Sequence, residues 1–66
     1  MKNHDVFILK KDLNPVIKTG MRGVILMILD ENHIEVEFVK EDGTNYQYDE
    51  SFTFTITKDC IELIPS

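Results

Sequence analysis

The stretch Ile34-Glu35-Val36-Glu37-Phe38 alternates an apolar side chain with a carboxylate at every step. A half-buried extended strand satisfies that pattern, because successive side chains of a strand point to opposite faces of the sheet. A helix would scatter the same residues around its circumference. The period of two recurs in Phe52-Thr53-Phe54-Thr55-Ile56-Thr57 and around Phe7 and Leu9, and no segment keeps helical periodicity over a useful length. The chain reads as all-β.

Turn signals cut it into five short strands. The first spans about Asp5 to Lys10, followed by a loop in which Pro15 pushes Asn14 out of helical geometry. Gly20 and Gly23, three apart before an apolar run, suit a tight turn at positive φ and then a close backbone approach. The second strand, about Gly23 to Leu29, is apolar on both faces. Asp30-Glu31-Asn32-His33 forms a turn, and the third strand covers about Ile34 to Val39. Asp42-Gly43 is a strong hairpin signal. A polar stretch, Tyr46-Gln47-Tyr48-Asp49-Glu50, leads to a fourth strand at about Ser51 to Thr57. One turn of 3-10 type at Thr57-Lys58-Asp59 precedes a short fifth strand, about Ile61 to Ile64. Five such strands hide their apolar faces by curling into a barrel or a tight two-sheet sandwich. The expected core is Phe7, Leu9, Ile25, Met27, Val36, Phe38, Phe54, Ile56, Ile61 and Leu63.

The chain has 66 residues, which makes residues 1–66 one domain. A domain of this size buries only about 60% of its unfolded surface. Disulfides or a metal usually reinforce so small a core. Cys60 is alone, so it forms no internal bridge, and a lone thiol suits a reducing compartment. No signal peptide is visible at Met1-Lys2-Asn3-His4-Asp5, and the apolar run from Val24 to Leu29 is far short of the ~20 residues of a membrane helix. A cytoplasmic location is the expectation, with no membrane partner.

Net charge is −5, unevenly spread. Residues 1–29 carry Lys2, Lys10, Lys11, Lys18 and Arg22 against Asp5 and Asp12. Residues 30–50 carry Asp30, Glu31, Glu35, Glu37, Glu41, Asp42, Asp49 and Glu50 against Lys40 alone. Such a block is either a solvated face or a surface for a basic partner.

Taken in order, several segments resemble a family of small bacterial proteins known as a domain of unknown function. They are Asp5-Val6-Phe7-Ile8-Leu9-Lys10-Lys11-Asp12-Leu13, Lys18-Thr19-Gly20-Met21-Arg22-Gly23-Val24-Ile25, Val36-Glu37-Phe38 with Asp42-Gly43, and Thr55-Ile56-Thr57 before Ile61-Glu62-Leu63. The resemblance covers nearly the whole chain. It implies a small five-stranded SH3-like barrel related in shape to KOW modules. For some members it also implies immunity-like or antitoxin-like roles, since they lie near toxin genes. No catalytic residue carries over. The chain departs from the pattern in the lengthened stretch Tyr46 to Ser51 and at Thr57, where proline is common in the family.

Few residues point to catalysis. His4 and His33 have no sequence-local partner, and Cys60 between two strands reads as a small buried hydrophobe. A domain this small has little room for a substrate pocket of roughly 300 Å³. Asp30, Glu31, His33 and Glu35 lack the spacing of a calcium loop or a zinc site, so neither metal nor cofactor is expected. Lys10, Lys11, Lys18 and Arg22 could meet nucleic acid along one edge, and Tyr46 and Tyr48 could stack on bases, but the acidic balance opposes it.

A protein partner accounts for more of the sequence. If Ile25 and Met27 point inward, Val24, Leu26 and Ile28 point outward, and an outward apolar patch on a small barrel marks an interface. The expected contact surface joins these three to Glu35, Glu37, Glu41, Asp42, Tyr46, Tyr48, Asp49 and Glu50. A toxin encoded nearby, such as a basic nuclease, fits that surface. A homodimer through the same strands is the simpler competitor.

Overall fold

A computed structural model describes residues 1–65. The fold is all-β: one five-stranded antiparallel sheet with β1 at Val6–Leu9, β2 at Arg22–Ile28, β3 at His33–Phe38, β4 at Thr53–Thr57 and β5 at Ile61–Leu63. A 3-10 turn at Lys58–Cys60 links the last two strands. Strand order is β4-β3-β2-β1-β5, so β1 is held between β2 and β5 and the sheet curls as a small SH3-like barrel. Strands β4 and β5 are its two free edges.

The inner face follows from the alternation. Phe7, Leu9, Ile25, Ile34, Val36 and Phe38 are fully buried, and Ile56 and Ile61 nearly so. The Phe7 and Phe38 rings meet edge to face with centroids 5.6 Å apart, and Phe54 tilts against Phe38 at the same distance. Edge-to-face packing sets the positive ring edge against the negative face.

Three expectations about the core are corrected. The pairing of β2 with β3 slips between Ile25 and Met27: Ile25 faces Val36, and Met27 already faces Glu35. Leu26 is therefore an extra residue, a β-bulge, which shifts the phase of the strand. Met27 turns outward and is 52% exposed, whereas Ile28 faces Ile34 and packs against the core. Ile28 is thus not an outward residue. Leu63 faces Phe7, but on an edge strand that nothing flanks, and is left exposed. Phe54 is likewise only half-buried.

Two residues outside the expected core set belong to it. Ile34 is inward on β3, as its alternation with the glutamates requires. Ile17 is fully buried although it lies in a loop. The Asn14 side-chain oxygen accepts from the backbone N–H of Val16 (2.9 Å) and of Ile17 (2.8 Å), and the Leu13 N–H donates to the Ile17 carbonyl (2.9 Å). This Asx-type turn folds the loop over and plugs Ile17 into the core.

Both glycine roles are present. Gly20 has φ +95°, and Gly23 has no room for a side chain. Gly43 also has positive φ, in a tight turn where the Lys40 N–H donates to the Thr44 carbonyl (2.7 Å) and Val39 bridges Asn45. Among the described residues no helix is long and apolar enough to cross a membrane.

Candidate protein-binding face

The outer face of the sheet carries the side chains that the core does not use. Strand pairing arranges them in rows. Val6 faces Val24, Val24 faces Glu37, and Glu37 faces Thr53. Next to this, Met27 faces Glu35 and Glu35 faces Thr55. The two glutamates therefore sit side by side, each between an apolar residue of β2 and a threonine of β4. Both are half-buried. Because the bulge places Leu26 and Met27 together opposite Glu35, the apolar margin here is wider than a regular strand would make it.

Three of the seven lysines and arginines are engaged elsewhere. Lys11 pairs with Asp59 (3.4 Å) and Lys18 with Asp12 (3.9 Å). Lys40, the one cation of the acidic segment, lies over the Tyr46 ring, its Nζ 5.2 Å from the centroid. Among the described residues neither Glu35 nor Glu37 has a salt bridge. Glu37 does accept a hydrogen bond from the Asn45 side-chain amide at 2.7 Å, which ties the β3–β4 connection to the face and fixes that carboxylate.

The other residues of the expected surface separate from this pair. Asp42 is a turn cap: its Oδ1 accepts from the Thr44 N–H (3.0 Å) and hydroxyl (2.6 Å), and these bonds lower its pKa. Glu41 and the half-buried Tyr46 line a groove near Ile8, Met21, Arg22 and Lys40, at the end of the barrel where two connections meet. Tyr46 packs on the core, so much of its ring is structural. Tyr48 and Ser51 exchange backbone hydrogen bonds at 3.0 Å each around a two-residue turn of Asp49 and Glu50. Asp49 and Glu50 both have positive φ, at 53° and 65°.

Of the residues expected on the surface, the structure thus brings together Val24, Leu26, Glu35 and Glu37. It removes Ile28 and adds Met27, Thr53 and Thr55. The phase shift at the bulge hid Met27, since strict alternation assigned it to the core. The threonines were legible as the outward half of β4 but carry no charge to attract notice. Phe52 continues the inward row of β4, yet it precedes the strand and is 51% exposed.

Of Lys10, Lys11, Lys18 and Arg22, two form exposed ion pairs with aspartates, Lys11 with Asp59 and Lys18 with Asp12. The turn at Asp30 and His33 is likewise self-contained. Asp30 Oδ1 accepts from the N–H of Asn32 (2.7 Å) and of His33 (2.8 Å) and lies 3.0 Å from the His33 ring nitrogen. Cys60 is half-buried against the core beside the Thr57 hydroxyl, 3.2 Å away.

Compared with protein-family models, with curated proteins and with solved structures, the chain matches none.

Proposed function

We propose that this chain is a non-catalytic protein-binding module that captures a basic partner on the outer face of its sheet. In its concrete form it is a bacterial immunity- or antitoxin-type protein that neutralises a toxin, such as a basic nuclease, by covering it. One observation carries the reading: Glu35 and Glu37 stand side by side, half-buried beside Val24, Leu26 and Met27, and among the described residues neither forms a salt bridge.

The two neighbouring carboxylates give the face a local negative charge, and a lysine or arginine of the partner would pair with them where the contact excludes water. The apolar margin supplies area to bury, and the field of the acidic segment speeds encounter with a positively charged surface. A nuclease must attract phosphate, so its active site presents the matching charge.

The test is to mix the protein with the product of the adjacent gene and measure association by calorimetry at two salt concentrations. A complex is expected that weakens with salt. Glu35→Lys/Glu37→Lys, checked for native fold by circular dichroism, should lower affinity by tenfold or more, equivalent to ~1.4 kcal/mol per decade. Absence of binding, or affinity unchanged by the charge reversal, rejects the proposal.

A further inference from the structure

We infer that the free edge of β4 adds an extended segment of the partner as a further strand of the sheet, one in which cationic side chains alternate with apolar ones. The inference rests on the proposed capture of a basic protein and specifies how contact is made.

The hydrogen-bonding direction of β4 follows from its pairing. The Lys58 N–H donates to the Asn32 carbonyl at 2.9 Å, one step beyond the pair His33 and Thr57. In an antiparallel ladder alternate pairs are bonded. Phe54 and Ile56 therefore bond to β3, and the backbone groups of Thr53, Thr55 and Thr57 point away from it. The Ser51 hydroxyl confirms this direction by donating to the Thr53 carbonyl at 2.8 Å from outside the ladder. No strand lies beyond β4.

Sheet edges are commonly blunted by charge, proline, brevity or bulges. Strand β5 is blunted: it has three residues, includes Glu62 and is followed at once by Ile64 and Pro65. Strand β4 has five residues, Thr53-Phe54-Thr55-Ile56-Thr57, with no charge and no proline. Among the described residues it is the less protected of the two edges, with only the Thr53 carbonyl already taken, by the Ser51 hydroxyl.

Charge decides the occupant. Glu35 and Glu37 lie one strand inside the edge, directly across from Thr55 and Thr53. An added strand lies two strand spacings from them, roughly 10 Å, within reach of a lysine or arginine side chain. Its cations on the outer face would meet the two carboxylates over the short threonines. Its alternate residues, on the inner side, would meet Phe54 and the exposed Phe52. A second copy of this chain fits less well, because it would bring its own acidic face alongside.

The probe is an acetylated, amidated peptide of alternating lysine and valine, titrated into the ¹⁵N-labelled protein, with an alternating glutamate–valine peptide as control. The lysine peptide is expected to bind and to slow hydrogen exchange of the Thr55 amide by tenfold or more, and the glutamate peptide to do neither. Thr55→Pro removes the outward N–H without taking a hydrogen bond from the β3 ladder, so it should weaken the lysine peptide by tenfold or more. If that variant fails to fold, the Thr55 exchange rate in the unaltered protein still decides.

An unchanged Thr55 exchange rate at saturation, or equal affinity of a folded Thr55→Pro variant, overturns the inference. So does a dimer by light scattering that protects Thr55 without peptide. With the adjacent gene's product, binding lost in Glu35→Lys/Glu37→Lys but kept in Thr55→Pro leaves the basic-partner reading standing and removes the edge. Peptide binding with Thr55 protection but no binding of that product does the reverse.

Discussion

Gly23 lies where three strands meet: opposite Phe7 of β1 on one side and Phe38 of β3 on the other. A Cβ built on it would come within 2.7 Å of the Glu37 carbonyl oxygen and 2.9 Å of Phe7 Cε2. Neither neighbour can yield cheaply, because the carbonyl belongs to the β3 backbone and the ring is locked against Phe38. Gly23→Ala should therefore cost about 1–3 kcal/mol as overpacking. For a domain of this size that lowers the melting temperature by roughly 4–24 °C, readable by calorimetry. At Gly20 the added carbon would meet nothing, and the positive φ alone makes alanine unfavourable. Both glycines were legible from their spacing before an apolar run. Ile17 was not, because a core residue in a loop obeys no period. The signal was local turn chemistry, an Asn-Pro pair flanked by Leu13 and Ile17.

At the scale of elements, the sequence located all five strands and the 3-10 turn, and it failed where one residue changed the phase of a strand. Alternation is read by counting, and a bulge adds a count without changing composition. Ile25-Leu26-Met27-Ile28 is uniformly apolar, so nothing in it marks which residue is the extra one. The result was an interface assigned with Ile28 in place of Met27. The connection from β3 to β4 shows a different conflict between local preference and fold. Asp49 and Glu50 occupy a two-residue turn at positive φ that favours asparagine and glycine. A left-handed conformation costs a residue with a side chain about 1–2 kcal/mol. Replacing the pair, Asp49→Asn with Glu50→Gly, should raise stability by about 1 kcal/mol, measured by denaturant midpoint at constant slope.

Across the whole molecule, one aspartate holds each connection between consecutive strands. Asp12 accepts from the Thr19 N–H (2.8 Å) between β1 and β2, and Asp30 caps the turn between β2 and β3. Asp42 caps the turn after β3, and Asp59, beside Lys11, accepts from the Thr57 hydroxyl before β5. These hydrogen bonds lower all four pKa values below the ordinary 3.8. A carboxyl with a lowered folded-state pKa stabilises the fold fully above its unfolded value, and that contribution disappears as pH falls through the folded value. These groups should thus leave the melting temperature level from about pH 7 to pH 5 and depress it below about pH 4. Asp30→Asn keeps the acceptor without the charge and should make the acid slope shallower. The acidic composition seen in the sequence therefore divides into two kinds. Aspartates that cap connections are structural, whereas the glutamates of β3 cap no turn and lie on the outer face of the sheet.

Pairing of the first strand with the last has a topological consequence. The Ile64 N–H donates to the Val6 carbonyl at 2.9 Å, so chain entry and exit lie one strand spacing apart, about 5 Å. The backbone is nearly a closed ring. A short linker joining those ends, with a cut between Asp49 and Glu50, would give a circular permutant that keeps every strand pairing. For the same reason the domain could be spliced into a surface loop of a host protein, displacing the host's own chain by little more than the width of a hairpin.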